Sequence, residues 1–118
     1  MNTRDTIERY FDRFQQKSEW QALLADNVAF TSFTIPNKQV SGKDAYLQAT
    51  KGFYSMIRRM ELRNLIVDGN SACALTHYEL QPPNGGPAFQ SDVAEVFTVT
   101  DGTITSLEIY FDSAAFPK

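Results

Sequence analysis

The stretch TVTDGTIT, residues 98–105, decides the fold. Asp101-Gly102 at the centre of a two-residue hairpin loop sets the register of the strands on either side. Thr100 then faces Thr103 and Val99 faces Ile104. Counting outward, Phe97 meets Ser106, Glu95 meets Glu108, Val93 meets Tyr110 and Ser91 meets Asp112, all on one face. The other face carries Ala94, Val96, Leu107, Ile109 and Phe111.

Upstream of this hairpin the two-residue period continues back to about residue 60. Turn residues punctuate it at Asp68-Gly69-Asn70 and again from Pro82 to Pro87. Four consecutive strands are therefore predicted, near 60–68, 71–81, 88–100 and 103–112. Before residue 60 the pattern is helical. Ile7, Tyr10, Phe11 and Phe14 recur as the stripe of an amphipathic helix over about 3–17, with Asn2 or Thr3 as its cap. Ser18 with Gln21 predicts a capping box and a short second helix carrying Trp20, Leu23 and Leu24. VAFTSFTI, residues 28–35, reads as a strand ended by Pro36-Asn37. Ser41 with Asp44 predicts a third helix with Ala45, Ala49, Phe53 and Ile57 along one side. The expected fold is α+β, three N-terminal helices on a mainly antiparallel sheet, with no parallel crossovers because the helices precede the strands.

The chain has 118 residues and 42% hydrophobic content, enough for one core and so for a single domain over 1–118. Nine Phe, five Tyr and one Trp supply either a well-filled core or an apolar cavity. The formal net charge of −3 and the lack of a basic run argue against a nucleic-acid partner, and the cluster Arg58, Arg59 and Arg63 reads as a solvated helix end. MNTRDTIERYF is polar and helical rather than a secretory leader, and no apolar run reaches membrane-spanning length. A soluble, cytoplasmic protein is expected. One cysteine and one histidine provide no zinc set, and no metal or cofactor is called for. Cys73 and His77 lie roughly 13 Å apart along a strand, too far for a nucleophile and its base, so Cys73 reads as a buried structural thiol.

If the hairpin across PPNGGP keeps the parity of the last one, Cys73, Leu75, His77 and Glu79 share the face of Glu95. Two accounts fit. In one, this acidic face lies in water while Val96, Leu107, Ile109 and Phe111 pack beneath the helices. In the other, the acids line a cavity between sheet and helices, and the second apolar face meets another subunit.

The phrases LLADNVAF after two short helices, VSGKDAY opening the third, and EVFTVTDGTITSLEIYFDSAAF at the end resemble the nuclear transport factor 2-like superfamily. The likeness is to its polyketide cyclase-like (SnoaL-like), ketosteroid isomerase-like and limonene epoxide hydrolase-like branch. That resemblance implies a cone-shaped half-barrel of cystatin-like topology, helices closing over a strongly curved sheet, an apolar pocket on the concave side and a dimer contact on the convex side. The partner implied is a homodimer mate meeting Val96, Leu107, Ile109 and Phe111. Against the epoxide hydrolase pattern, His77 and Glu79 fall on an arginine and an aspartate, Asp112 on a second aspartate, and Phe30 and Ser32 on a tyrosine and an asparagine. Against the ketosteroid isomerase pattern, Glu95 takes the place of the neutral carboxylic acid that donates to the oxyanion. Tyr10 lies near the tyrosine donor, and Ser32 stands where the proton-abstracting aspartate would be.

The chemistry expected is cofactor-free isomerisation, cyclisation or hydration of an apolar, oxygen-bearing small molecule. Glu95, beside Glu108, would hold a proton as general acid. His77, steadied by Glu79 or Asp112, would be the base. Tyr10, Phe14, Trp20, Phe30, Ser32, Phe53, Tyr54 and Phe97 are the candidate ligand contacts. The alternative is a ligand-binding or dimerisation module without catalysis.

Overall fold

The computed structural model describes residues 2–32 and 38–111. Helix α1 spans Thr3–Gln15 and is followed by a 3₁₀ turn, Trp20–Leu23. Then come strand β1 (Leu24–Ser32), strand β2 (Lys38–Ser41) and helix α2 (Lys43–Met56). Four strands complete the chain: β3 (Ile57–Asp68), β4 (Ser71–Leu80), β5 (Phe89–Thr100) and β6 (Thr103–Phe111). Two α-helices lie on one six-stranded sheet of order β2-β1-β6-β5-β4-β3. The expected second helix is a single 3₁₀ turn, entered through Glu19 in the left-handed region (φ 57°) with no side-chain cap. The sheet is mainly antiparallel, as expected, but it includes one parallel pairing, which was not. β1 runs parallel to β6, with Phe30 beside Leu107 and Ser32 beside Ile109. A pairing between strands some seventy residues apart leaves no local trace in the chain.

Asn2 caps α1, its side chain accepting from the Asp5 N–H at 2.8 Å. Thr6, Ile7, Tyr10, Phe11 and Phe14 form the buried stripe. The helix ends in a Schellman motif: the Lys17 N–H donates to the Phe14 carbonyl at 3.1 Å and the Ser18 N–H to the Arg13 carbonyl at 2.9 Å. Lys17 occupies the left-handed position, φ 54°. α2 starts at Gly42 rather than on a Ser41 box. Gly42 adopts φ 98°, and its N–H donates to the Val28 carbonyl at 2.8 Å, so the helix hangs directly from β1. Ser41 is the last residue of β2, opposite Ala29.

The Asp-Gly turn forms as its residues require, with positive φ at both Asp101 and Gly102, Thr100 opposite Thr103 and Val99 opposite Ile104. One residue later the register shifts, because Thr98 pairs with Ser106 and Thr105 is the extra residue of a bulge. Thr105 Oγ1 donates to the Thr98 carbonyl at 3.2 Å. Beyond the bulge Phe97 faces Leu107, Glu95 faces Ile109 and Val93 faces Phe111. Leu107, Ile109 and Phe111 thus stand under the helices, and only Val96 of the four expected interface residues is on the convex side. The second parity assumption also fails. The Gln81–Ala88 loop leaves Leu80 opposite Phe89, so Thr76 meets Val93 while His77 meets Asp92. The even residues of β4 face inward.

The core is continuous from Ile7, Tyr10 and Phe11 through Val28 and Phe30 to Phe97, Ile104 and Leu107, each at most 3% exposed. This parity has a mutational signature. Leu107→Ala is expected to cost roughly 2 to 5 kcal/mol in urea unfolding. Glu108→Ala, on the outer face, is expected to stay within about 0.5 kcal/mol; equal effects at the two positions would contradict the bulge.

Candidate functional site

The concave face and the helices enclose a cavity of about 50 Å³. α1 contributes Tyr10 and Phe14, the 3₁₀ turn Trp20, and β1 Phe30. α2 lays Tyr46, Thr50, Phe53 and Tyr54 over it. The floor is Tyr78 of β4, Val93 and Glu95 of β5, and Leu107, Ile109 and Phe111 of β6. Aromatic contacts set the wall: Phe30 with Tyr46 at 4.8 Å between ring centroids, Phe53 with Tyr78 at 5.1 Å, and Trp20 with Tyr54 at 5.4 Å.

One carboxyl sits in this apolar wall. Glu95 is 5% exposed. Its Oε2 accepts from Thr76 Oγ1 at 2.7 Å and from Tyr78 OH at 2.8 Å. Among the described residues nothing donates to Oε1. Burial pushes the Glu95 pKa up to about 7, and the two hydrogen bonds oppose that rise without cancelling it. Tyr10 OH and Tyr46 OH lie 3.5 Å apart, and burial holds both phenols well above their ordinary range, with the Glu95 charge adding to it. Tyr78 is raised by burial and by Glu95 in the same way. Near neutral pH the cluster therefore offers three phenolic hydroxyls and one carboxyl divided between its two protonation states. Such a set can hold an acceptor oxygen, and its carboxyl can give or take one proton.

The sequence-expected residues divide sharply. Tyr10, Phe14, Trp20, Phe30, Phe53, Tyr54 and Glu95 line the cavity. Phe97 is fully buried behind it, edge-on to Tyr10 and Phe11. Ser32 is buried on β1, beside Ile109 but outside the lining. Asp112 lies outside the described residues.

His77 and Glu79 point away from the cavity. His77 Nδ1 is 2.7 Å from Asp92 Oδ1, and Glu79 pairs with Arg59 at 3.4 Å. The hydrogen bond from His77 holds the Asp92 carboxyl below its ordinary value, with the charges of His77 and Arg63 helping. The imidazole and Glu95 are on opposite sides of the sheet, so a His77 base acting with a Glu95 acid is ruled out. Glu108 is likewise outside, opposite Val96 and accepting from Tyr110 OH at 3.3 Å. The raised pKa of Glu95 comes from desolvation and owes nothing to a second glutamate.

Tyr46, Thr50, Tyr78 and Thr76 complete the site and were not anticipated. Tyr46, Thr50, Phe53 and Tyr54 fall at i, i+4, i+7 and i+8, a stripe as good as the alanine one and richer in aromatics. Tyr78 and Thr76 needed the opposite parity for β4.

Similarity to known proteins agrees with this architecture. The chain spans 98% of itself and 94% of an NTF2-like protein from Burkholderia thailandensis at a TM-score of 0.85 and 15% identity. It covers 95% of itself and 88% of a Kribbella flavida protein at 0.80 and 22%. With a Mesorhizobium loti protein described as a candidate SnoaL-like polyketide cyclase the score is 0.71 at 17% identity, over 93% and 99% of the two chains. The fold is that of the NTF2-like superfamily. Within it, the SnoaL-like domain profile matches residues 7–107, and the chain belongs to that family. No curated protein sequence matches it.

The buried carboxyl imposes a pH dependence. Its folded pKa of about 7 lies above its ordinary value of 4.5, so the folded state binds the proton more tightly. The resulting stability is complete below about pH 4.5 and is lost as pH rises through about 7, a change of roughly 3 kcal/mol. Glu95→Gln is expected to remove that slope. The stability difference between wild type and variant should fall between those pH values, and a flat difference would contradict the assignment.

Proposed function

We propose that this protein binds a small apolar molecule through an acceptor oxygen and moves a proton on it without a cofactor. The observation that carries the proposal is Glu95, buried in an aromatic cavity with one oxygen clamped by Thr76 and Tyr78 and the other left for a ligand. In the chemistry we propose, the ionised fraction of Glu95 takes a proton from the carbon next to a carbonyl. The C–H electrons pass into an enolate, whose oxygen accepts from the Tyr10 or Tyr46 hydroxyl. Protonated Glu95 then returns the proton to the same or another carbon, giving an exchanged or isomerised product. A pKa near 7 suits a group that must both accept and donate at neutral pH. One protein of the same fold, from Mesorhizobium loti, is described as a candidate polyketide cyclase.

A second reading is binding without chemistry. It rests on Glu95 being, among the described lining residues, the one group that titrates near neutrality, with Ser32 at the position where the resemblance to ketosteroid isomerases implies a base. The two are separable. Trp20 lines the cavity and is the only tryptophan, so its emission reports occupancy. Medium-chain ketones are expected to give a saturable change, weakened about ten-fold by Glu95→Ala. Exchange of solvent deuterium into the α-position of the bound ketone, followed by NMR and abolished in Glu95→Gln, would establish proton transfer. Saturable binding without exchange would establish the binding module.

We also propose a homodimer through the convex face, with its residues revised. The rows Ile66, Cys73, Val96 and Leu75, Ala94, Tyr110 lie side by side there. Ile66 is 54%, Leu75 39% and Tyr110 43% exposed. The flanking row Glu61, His77 and Asp92 is polar, as an interface rim is. Leu75→Lys is expected to halve the mass measured by sedimentation, and an unchanged mass would reject this face. Leu107→Glu, by contrast, would unfold the chain, since Leu107 is 1% exposed.

A further inference from the structure

Three concavities meet at Tyr54. It lines the inner cavity, an open groove between the 3₁₀ turn and α2, and a second groove of about 410 Å³ between the end of α1 and the start of β3. No other residue is shared by all three. The inner cavity, at about 50 Å³, is well below the several hundred Å³ that enclose a drug-sized ligand. A longer ligand would have to extend beyond it, and Tyr54 is the residue it shares with both grooves. The ring is held by one hydrogen bond, from Trp20 Nε1 to its hydroxyl at 3.3 Å, and rests on Phe14 at 5.3 Å. A turn of the ring about its χ1 would break that bond and open the wall between the inner cavity and the α1–β3 groove, which also share Phe14.

That groove is basic in a chain whose net charge is −3. It carries Lys17, Arg58, Arg59 and Glu61. Arg59 is committed to Glu61 and Glu79, each at 3.4 Å, and Glu61 is further paired with Arg63 at 3.0 Å. Among the described residues, Lys17 and Arg58 have no carboxylate partner. Lys17 Nζ donates to the Ile57 carbonyl at 3.4 Å and sits 6.0 Å from the centroid of the Tyr54 ring, beside the gate itself.

The backbone adds an independent mark. Lys17 holds the φ 54° position of the Schellman motif, where glycine escapes the Cβ clash that any other residue meets. A lysine there is a poor choice for the helix end. It is a good one for placing a cation at the edge of the groove.

We propose that the ligand is an amphipathic acid: an acceptor oxygen at one end of an apolar stem, received by the Tyr10 and Tyr46 hydroxyls beside Glu95, and a carboxylate at the other, received between Lys17 and Arg58 after Tyr54 swings aside. The proposal rests on the inner cavity being the binding site. The probes are 9-oxodecanoate and decan-2-one, which share chain and ketone and differ in the carboxylate, titrated against Trp20 emission and by calorimetry. The keto acid is expected to bind at least about ten-fold more tightly than the ketone, with the preference shrinking as salt is raised. In Lys17→Gly and in Arg58→Gln the preference should fall below about three-fold. Lys17→Gly should melt at the wild-type temperature or above, which separates a lost cation from a damaged helix end.

Equal binding of the two probes by wild type, or an undiminished preference in both variants, would overturn the amphipathic-acid proposal while leaving the cavity as a ketone site. Failure of both probes to bind would overturn the cavity as a binding site as well.

Discussion

A single extra residue in β6 governs which side chains reach the interior. Thr105 is bulged out between the tight Asp101-Gly102 turn and the rest of the strand, and every residue beyond it changes face. Because side chains alternate with a period of two, a one-residue slip moves the whole set at once. Here it carries Leu107, Ile109 and Phe111 under the helices and sends Glu108 and Tyr110 outward. Without the bulge, Glu95 would have Glu108 beside it rather than Ile109, and two carboxyls would compete for one dry site.

The cavity depends on that exchange. With Ile109 and Phe111 inside, Glu95 has apolar neighbours along its own strand pair, and α2 covers it with Tyr46, Thr50, Phe53 and Tyr54. Burying an unpaired carboxylate in such surroundings is costly. The structure meets the cost in two ways: Thr76 and Tyr78 donate to one oxygen, and the remaining penalty raises the pKa until the neutral acid is well populated. A wholly satisfied carboxylate would be inert toward a ligand. One clamped on one side and bare on the other is positioned and still has capacity to bond.

The opposite face has a different logic. Glu61, Arg59, Arg63, Glu79 and Asp92 form a chain of ion pairs at 3.0 to 3.7 Å across β3, β4 and β5, which the 2.7 Å hydrogen bond between His77 and Asp92 extends. Exposed pairs of this kind contribute little to stability. They mark the edge of the apolar rows around Leu75 and Val96. The same side chains that looked catalytic by type are thus surface groups by position.

From the sequence alone came the helix carrying Tyr10 and Phe14, the four C-terminal strands to within a few residues, the Asp-Gly turn, the α+β class and the family. Each is written in neighbouring residues: a 3.6 period, a 2.0 period, a turn that only certain residues make, phrases in order. Half the candidate lining was also legible, since an aromatic on a buried helix stripe must go inward. The parity of β4 and β6, the parallel seat of β1 beside β6, the short β2 and the location of His77 were decided only by the tertiary structure. An alternating strand reads the same whichever face is buried, and neither a bulge nor a loop's contribution to register appears until the partner strands are in place. Glu95 was legible as a carboxyl on a strand; its lone, desolvated state exists only because distant segments close over it.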